Sequence, residues 1–413
     1  MAQHVIVIGA GIVGASTALW LLRAGCRVTV VDRAGWASGT SHGNAGLLAA
    51  LAMVPVTGPG LVAKAPGMVL YPDYPLFLRW SYLPKLLPWL RKYLSHANDA
   101  DTRRIAAGLS PIVSDAVEQH DALAGGTAAA AFLVKSDYSY AYADRAAYEA
   151  DAYAWGLRAA HGFTPTIREG ADVAAFDPSL APEIGCLATV ANHGYVRDPA
   201  GYVKALGDEV TAQGGAVETA TVTDFEMKDG TFAAVMTDKG RIEGDAAVVT
   251  TGVWSKSLMQ KLGIAVPLES ERGYHIVFKN ARGGPHHPMM IAAGKFAVTP
   301  MAEGVRCAGV VEFGGLDAGP SKAPFAFLRR QMKAAFPHMT WDDEIEWQGH
   351  RPAVSDSLPL IGEVRGSRIF TGFGHHHVGL TGGPKTGRLL SQLITGQVPN
   401  LDLAPYAPTR FAS

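Results

Sequence analysis

The chain has 413 residues, of which 48% are hydrophobic and 18% charged, so it can bury a full globular core and is long enough for two domains. Its 36 basic and 37 acidic residues nearly cancel, and no long run of one sign occurs. These features argue against nucleic acid or a strongly anionic partner. They favour a small, nearly neutral or zwitterionic substrate.

Cysteine usage and hydropathy indicate the compartment. Cys26, Cys186 and Cys307 are widely spaced and form no CxxC pair, which argues against a disulfide framework and a cysteine-rich metal site. The opening "MAQHVIVIGAGIVGAS" lacks the basic start and the cleavage site of a signal peptide. No uncharged apolar run reaches the roughly 18 residues of a membrane span. We therefore expect a cytoplasmic protein in a reducing environment.

A βαβ unit opens the chain. Residues 4–8, "HVIVI", predict a buried parallel strand, residues 15–25 a helix, and residues 27–33, "RVTVVDR", a second strand. Between the first strand and the helix, "GAGIVG" at 9–14 has the GxGxxG spacing. Its glycines permit a tight turn, close approach of a pyrophosphate and close helix–strand packing, and the helix N-terminus offers free N–H groups.

The turn and the second strand together predict a dinucleotide site. Asp32 lies 18 residues after Gly14, at the end of the second strand, where a carboxylate accepts hydrogen bonds from ribose hydroxyls. Strand, glycine turn, helix and acid in this order are far more specific than GxGxxG alone. The residues of this unit that we predict to contact the cofactor are Gly9, Gly11, Ile12, Val13, Gly14, Asp32 and Arg33.

The middle of the chain predicts a strand-rich unit, and its end returns to the α/β pattern. No internal repeat or low-complexity tract is visible. The predicted elements are a ligand-wrapping loop at 35–60, helices within 101–124, 144–161 and 199–218, hairpin strands over 220–250, strands over 264–316 and 344–348, and a last strand at 368–374 before a helix at 387–396.

Two features favour FAD over NAD as the dinucleotide. The glycine motif begins at residue 9 and is soon followed by long loops of small residues. The strand–glycine–helix element at 368–396 would bring a second helix N-terminus to the same ligand. Reduced flavin carries negative charge at its N1/C2=O edge, which backbone N–H groups and a helix dipole stabilise.

Five segments, in order along nearly the whole chain, carry a family resemblance. They are "GAGIVGASTALWLLRAG…VTVVDR", "ASGTSHGNAG", "ESERGYHI", "GHRPAVSDSLPLIGE" and "GFGHHHVGLTGGPKTGRL". Together they resemble the FAD-dependent D-amino acid dehydrogenase/oxidase superfamily, which includes glycine and sarcosine oxidases. The ERGYH and GHRP segments are most similar to the bacterial D-amino acid dehydrogenase group, including enzymes that act on D-proline and D-hydroxyproline.

The resemblance implies an α/β fold with a Rossmann-like FAD-binding domain and an α+β substrate domain built on a large, mostly antiparallel sheet. We assign residues 1–80, 190–260 and 345–413 to the FAD-binding domain and residues 81–189 and 261–344 to the substrate domain. Further residues that the resemblance places near FAD are Thr40, Ser41, Asn44, Ala45, Gly46, Thr251, Gly252, Gly379, Leu380 and Thr381.

Arg351 in "GHRP" is the first candidate for substrate binding. An amino acid must be held by its carboxylate so that Cα–H points at the flavin, and a guanidinium gives a planar bidentate clamp. The matching arginine has that role in the family, and a structural ion pair is the alternative. Tyr274 and His275 in "ERGYH" would lie on the substrate side, as a hydrogen-bonding hydroxyl and a proton acceptor, or serve only in packing. Glu271 and Arg272 would pair with each other, or Arg272 would assist the carboxylate.

The triplet His375, His376 and His377 resembles a metal site but predicts none. Neighbouring side chains in an extended segment or loop point in different directions, and no Glu-x-x-His or His-x-x-x-His spacing supports a metal. The resemblance implies a loop that passes the flavin, with Gly379 to Gly383 near the isoalloxazine. At least one histidine, with His376 as our choice for catalysis, would line the active site, and plain packing is the alternative.

We expect noncovalent FAD. Some relatives attach the cofactor through a histidine in a "GTxxHxAG"-like segment, whereas "GTSHGNAG" places His42 one position earlier, with Gly43 at the expected site. No cysteine lies near the C-terminal motif, so the cysteine linkage of sarcosine oxidases also lacks a counterpart.

The aromatic, proline-broken segment at 71–96 has three possible roles. The segment packs into the core, lines the pocket entrance, or contacts the inner face of a membrane. Lys85, Arg91 and Lys92 among leucine and tryptophan suit peripheral binding to anionic lipid.

These features predict an FAD enzyme that oxidises an amino acid. The resemblance implies that the substrate is a D-amino acid, including cyclic D-imino acids such as D-proline or D-hydroxyproline. A hydride would pass from Cα to flavin N5, and the electrons would leave to a quinone or another carrier. One alternative is an oxidase or dehydrogenase of N-methylated or L-amino acids on the same fold. Another is a non-catalytic flavoprotein subunit, which would not need the GHRP and ERGYH segments.

Overall fold

The computed structural model describes residues 2–70 and 74–412. Its strands are β1 His4–Ile8, β2 Arg27–Asp32, β3 Leu47–Leu48, β4 Leu76–Leu78, β5 Leu133–Tyr142, β6 Thr166–Glu169, β7 Cys186–Val196, β8 Ala216–Thr219, β9 Val222–Lys228, β10 Thr231–Thr237, β11 Gly240–Glu243, β12 Ala246–Val249, β13 Leu268–Lys279, β14 Met289–Ile291, β15 Phe296–Met301, β16 Gly304–Phe313, β17 Asp343–Val354, β18 Leu360–Glu363 and β19 Ile369–Phe373. Its α-helices are α1 Ile12–Arg23, α2 Leu61–Leu70, α3 Leu83–Ser95, α4 Asp99–Val113, α5 Ala116–Ala124, α6 Arg145–Ala150, α7 Ala152–Ala160, α8 Ala171–Phe176, α9 Pro199–Ala212, α10 Ser255–Lys261, α11 Lys322–Ala335 and α12 Gly379–Ile394.

A six-stranded sheet carries the glycine turn. Its order is β18-β19-β12-β1-β2-β8, with parallel pairs from β19 to β8 and with β18 antiparallel to β19. β1 and β12 are short runs of β-branched or small apolar residues that are almost wholly buried, as expected of inner strands of a parallel sheet. The carboxyl ends of β1 and β2 therefore meet at one edge, where ligands bind in open parallel sheets.

A second, ten-stranded sheet lies beside the first. Its main path is β17-β13-β16-β15-β14-β5-β7-β3, with β4 paired to β16 and β6 to β7. The pairs are antiparallel apart from β14–β5 and β16–β4. β9, β10 and β11 form a separate antiparallel sheet. The predicted fold, a Rossmann-like α/β unit with a large mostly antiparallel sheet, is confirmed, while the domain boundaries remain a prediction.

The C-terminal glycine-rich segment is helix rather than the predicted loop. α12 begins at Gly379, eight residues before the predicted start at 387. A Cβ on Gly387 would lie 2.6 Å from the backbone nitrogen of Thr17 in α1. Glycine is therefore present here because α12 packs tightly against α1, and this tertiary contact outweighs the low helix propensity of glycine.

The aromatic segment packs on one face only. α3 buries Trp89 and Tyr93, whose rings stack 4.6 Å apart, and the Trp89 indole N–H donates to the carbonyl of Ala353 at 3.1 Å. Residues 71–73 of the segment lie outside the described residues. None of the described helices is long and apolar enough to cross a membrane. The exposed residues of this segment include Trp80, Lys85, Leu87, Arg91 and Lys92.

Candidate active site

The turn between β1 and α1 has the backbone that its sequence predicts. Gly9 has φ +109°, in the region that favours glycine. A Cβ on Gly14 would lie 1.9 Å from the Gly9 carbonyl oxygen, so the third glycine of the motif allows α1 to pack against the strand. The Ile12 N–H at the start of α1 donates to Ser41 Oγ at 3.0 Å. The turn therefore offers glycine backbone and a helix N-terminus to a ligand.

Asp32 is held at the end of β2 by backbone N–H groups. One carboxylate oxygen accepts from Ala10 at 2.9 Å and the other from Ala34 at 2.8 Å. The next residue, Arg33, places its guanidinium carbon 4.0 Å from the ring centroid of Trp254. An acid fixed beside the glycine turn is the arrangement that binds a ribose in dinucleotide sites.

A cavity of about 320 Å³ runs between this turn and the N-terminus of α12. Of the predicted cofactor residues, Ala45 and Thr381 line a second cavity instead, and Gly14 and Gly46 line neither. The predicted residues that line the first cavity are Gly9, Gly11, Ile12, Val13, Asp32, Arg33, Thr40, Ser41, Asn44, Thr251, Gly252, Gly379 and Leu380.

The residues of the first cavity fit a dinucleotide. A side chain at Gly9 would meet the Thr250 carbonyl at 2.9 Å, and one at Gly11 would meet Ser41 Oγ at 3.2 Å, so the cradle depends on glycine. The Asp32 carboxylate suits a ribose. At the other end of the cavity, the start of α12 at Gly379 presents backbone N–H groups. A dinucleotide bound in this cavity would be long enough to reach both helix N-termini.

The second cavity, of about 280 Å³, adjoins the first. Thr40, Asn44 and His376 line both cavities, so the two cavities share part of their walls. The wall of the second cavity comes mainly from strands of the ten-stranded sheet and from the chain between residues 40 and 56. The charged side chains among the described lining residues are Arg158, Glu271, Lys295 and Arg351.

Arg351 and Glu271 form the charged centre of the second cavity. They are register partners on β17 and β13, and Arg351 Nη1 donates to Glu271 Oε1 at 3.0 Å. Burial opposes ionisation of Glu271, but the imidazole of His376, 3.8 Å away, and the charge of Arg351 outweigh it and lower the pKa of Glu271 to about 2. A Cβ on Gly273 would lie 2.6 Å from the Arg351 guanidinium, so this glycine gives the side chain its space.

Tyr274 follows Glu271 by three residues on β13, but its hydroxyl lies on the opposite face of the strand. It donates to Glu312 Oε2 at 2.6 Å and accepts from the Ser321 N–H at 3.1 Å, and its ring packs edge-on against Phe325. Only part of Tyr274 reaches the cavity wall. These contacts favour a structural role for Tyr274, and we do not assign substrate binding to its hydroxyl.

His275 shares the face of Glu271 but lines neither cavity. Its ring stacks 5.1 Å from that of Trp347, and Nδ1 lies 2.9 Å from the Gly43 carbonyl. Burial, together with the charge of Arg306, lowers the pKa of His275 to about 3. The imidazole is therefore neutral near pH 7 and buttresses Trp347, and the predicted role as proton acceptor is not part of our proposal.

The three histidines occupy three different environments. His375 is buried, with Nε2 2.9 Å from Thr386 Oγ1, and lines the first cavity. His376 lines both cavities and places Nε2 2.9 Å from the Val354 carbonyl, whereas His377 lines only the second. Within the described ranges, no group of three or more His, Cys, Asp or Glu could hold a metal ion.

The side chains considered for covalent attachment of FAD do not line either cavity. His42 is exposed and lines neither of them. The three cysteines are buried and likewise absent from both walls. Noncovalent attachment therefore stays our expectation.

Sequence reasoning left the partner of Glu271 open and did not identify Arg158 or Trp347. Arg272 is fully buried and pairs with Glu312 at 2.9 Å, not with Glu271. Successive side chains of a strand point to opposite faces, so alternation along "ESERGYH" was a usable signal that residues 271 and 272 separate. No comparable signal marks Arg158, which reaches the wall from α7.

Comparisons with known proteins agree with this geometry. Residues 4–393 match the family model described as FAD dependent oxidoreductase (DAO). A D-amino-acid oxidase of Bradyrhizobium diazoefficiens is 38% identical over 99% of both chains. A D-amino acid dehydrogenase of Xanthobacter autotrophicus is 28% identical, again over 99% of both. The crystal structure of glycine oxidase from Geobacillus kaustophilus superimposes with a TM-score of 0.74 at 20% identity over 100% of both chains, which shows the fold.

The match to the family model spans most of the chain, and the glycine cradle, the fixed Asp32 and the two helix N-termini suit the family's cofactor. The chain belongs to the DAO family of FAD-dependent oxidoreductases.

Proposed function

We propose that this enzyme oxidises D-amino acids at Cα, including cyclic D-imino acids such as D-proline and D-hydroxyproline. The observation that carries the proposal is the guanidinium of Arg351 in a cavity that adjoins the dinucleotide cavity through Thr40, Asn44 and His376. A carboxylate bound there would hold its α-carbon next to the shared wall. Orientation of this kind contributes several kcal/mol to catalysis, about 7–11 in favourable cases.

Each part of the site has a proposed task. Bound FAD supplies the hydride acceptor at flavin N5. Arg351 binds the substrate carboxylate, and Gly379 and Leu380 offer backbone N–H groups at the start of α12, where negative charge is stabilised. His376 lies on the wall shared by the two cavities, with its Nδ1 3.8 Å from the Glu271 carboxylate, and helps to position that carboxylate beside Arg351.

Two relatives that cover nearly the whole chain, the D-amino-acid oxidase and the D-amino acid dehydrogenase, support the D configuration. No residue of the cavity separates D from L by itself. An L-amino acid or an N-methylated amine as substrate is therefore an outcome of the test rather than a second proposal.

The first experiment is an anaerobic visible spectrum of the FAD-loaded protein during addition of D- and then L-proline, hydroxyproline and alanine. We expect the oxidised flavin band to disappear rapidly with D-substrates and to persist with L-substrates. Bleaching by L-amino acids alone would overturn the D assignment. Persistence of the band with all of them would refute oxidation of the proposed substrates and point to an N-methylated amine. Acid precipitation should leave the yellow colour in the supernatant if FAD is noncovalent.

We further propose that a quinone or another carrier, rather than oxygen, accepts the electrons, and that the enzyme contacts a membrane peripherally. Trp80 is 60% and Leu87 52% exposed, beside the exposed cations Lys85, Arg91 and Lys92, a combination that suits an anionic lipid surface. Turnover should be much faster with a soluble quinone than with oxygen alone, and the protein should sediment with vesicles containing phosphatidylglycerol. Equal turnover with oxygen would contradict the acceptor proposal.

A further inference from the structure

We propose that Glu271 binds the α-ammonium group of the amino-acid substrate, beside the carboxylate held by Arg351. This inference rests on the proposed function and deepens it, because it assigns the second charged group of the same substrate.

The geometry of the pair leaves room for both ends of a substrate. Glu271 Oε1 lies 3.0 Å from Arg351 Nη1, which also donates to the Val310 carbonyl at 3.3 Å. Within the described residues, both hydrogen bonds of this guanidinium involve Nη1, so its Nη2 edge is available to a carboxylate. The carboxylate and ammonium of an α-amino acid are separated by one carbon, which matches a cation and an anion in direct contact.

The charges of the second cavity single out Glu271. Among its described lining residues, Arg158, Lys295 and Arg351 are cations and Glu271 is the one acid. An ammonium group that leaves water needs an anionic partner, since an unpaired buried charge costs several kcal/mol. Glu271 is only 8% exposed and has its carboxylate at the wall where the clamp lies.

Among the described residues, the groups that face Glu271 do not offer a second anion. They are Arg351 from β17, His376 and His377 from the turn before α12, and Tyr93 from α3. Burial raises the pKa of Tyr93, so its hydroxyl is neutral. Arg272, which sequence reasoning considered as a carboxylate partner, is committed to Glu312 on the opposite face of β13.

The test compares two ligands that differ only in the amino group, D-alanine and its deamino analogue propionate, in the FAD-loaded protein and its Glu271→Gln variant. We expect the KM for D-alanine to rise about tenfold or more, in line with loss of one hydrogen bond to a charged group. Propionate, measured as a competitive inhibitor, should bind equally well or more tightly because Arg351 is no longer neutralised. The kcat–pH profile should move to lower pH, since loss of the negative charge favours the neutral amine.

Glu269→Gln is the matched control. Glu269 lies two residues earlier on β13, is 7% exposed, accepts from the Tyr82 hydroxyl at 3.0 Å and lines neither cavity. It should leave both ligands unaffected. Glu271→Asp keeps the charge, so its KM for D-alanine should lie between those of the wild type and Glu271→Gln. If Glu271→Gln fails to fold, Glu271→Asp provides the test.

Two outcomes separate this inference from the proposed function. If Glu271→Gln weakens D-alanine and propionate equally while FAD content is retained, Glu271 only positions Arg351 and the inference is wrong. If Arg351→Met leaves propionate binding unchanged, the carboxylate clamp itself is wrong, whatever Glu271 does.

Discussion

Filling the space beside Gly273 gives the sharpest test of the Arg351 clamp, because the substitution Gly273→Ala moves the guanidinium without changing its charge. In Gly273→Ala the new Cβ would lie 2.6 Å from Arg351 Cζ and Nη2, whereas ordinary contacts begin at 3.4 Å. The guanidinium must therefore shift by about 0.8 Å, and a misplacement of about 1 Å costs on the order of 100-fold in rate. We expect kcat/KM for the D-amino acid to fall about 100-fold, equivalent to about 2.7 kcal/mol.

Steady-state kinetics of Gly273→Ala, with flavin absorbance and thermal unfolding recorded on the same sample, make the test specific. FAD content should not change, because Gly273 lines only the second cavity. Gly156→Ala is the control, since its added Cβ would meet no atom within 4 Å and alanine is favoured in the helix α7. Wild-type kcat/KM in Gly273→Ala would show that the position of Arg351 does not matter and would refute the clamp.

Three further predictions concern the clamp, the cofactor cradle and acid stability. Arg351→Met should raise the KM about 100-fold or more, as loss of one partner of a buried charged pair costs about 2–5 kcal/mol, with flavin content unchanged; an unchanged KM would contradict this. Gly14→Ala should yield protein with little bound FAD, seen as a low 450 nm absorbance, because its Cβ would lie 1.9 Å from the Gly9 carbonyl oxygen. Glu271, with a pKa lowered from 4.5 to about 2, should contribute about 3 kcal/mol of stability that is present above pH 4.5 and is lost as pH falls toward 2. Urea unfolding of the wild type and Glu271→Gln should therefore converge as the pH is lowered, and a constant difference would contradict the assignment.

The sequence by itself determined the dinucleotide turn. Gly9 acts through its positive φ, and Gly14 and Asp32 act through contacts within one βαβ unit, so their spacing carries nearly all the information. The GHRP motif, through the family resemblance, also singled out Arg351, which lines the second cavity. Sequence could not fix the start of α12, since Gly383 and Gly387 are explained by helix α1, which packs against them from about 370 residues away in the chain.

Only the tertiary structure decided how the site residues face each other. Glu271 meets Arg351 because β13 and β17, 80 residues apart, pair in one particular register, and a shift by one residue would turn Glu271 to the other face. The same alternation turns the Tyr274 hydroxyl away from the cavity. His376 reaches both cavities through a backbone with φ +49°, which the triplet of identical residues does not predict. Strand register and local backbone conformation therefore determine which of the predicted residues line the site. Both are set by packing across the whole chain.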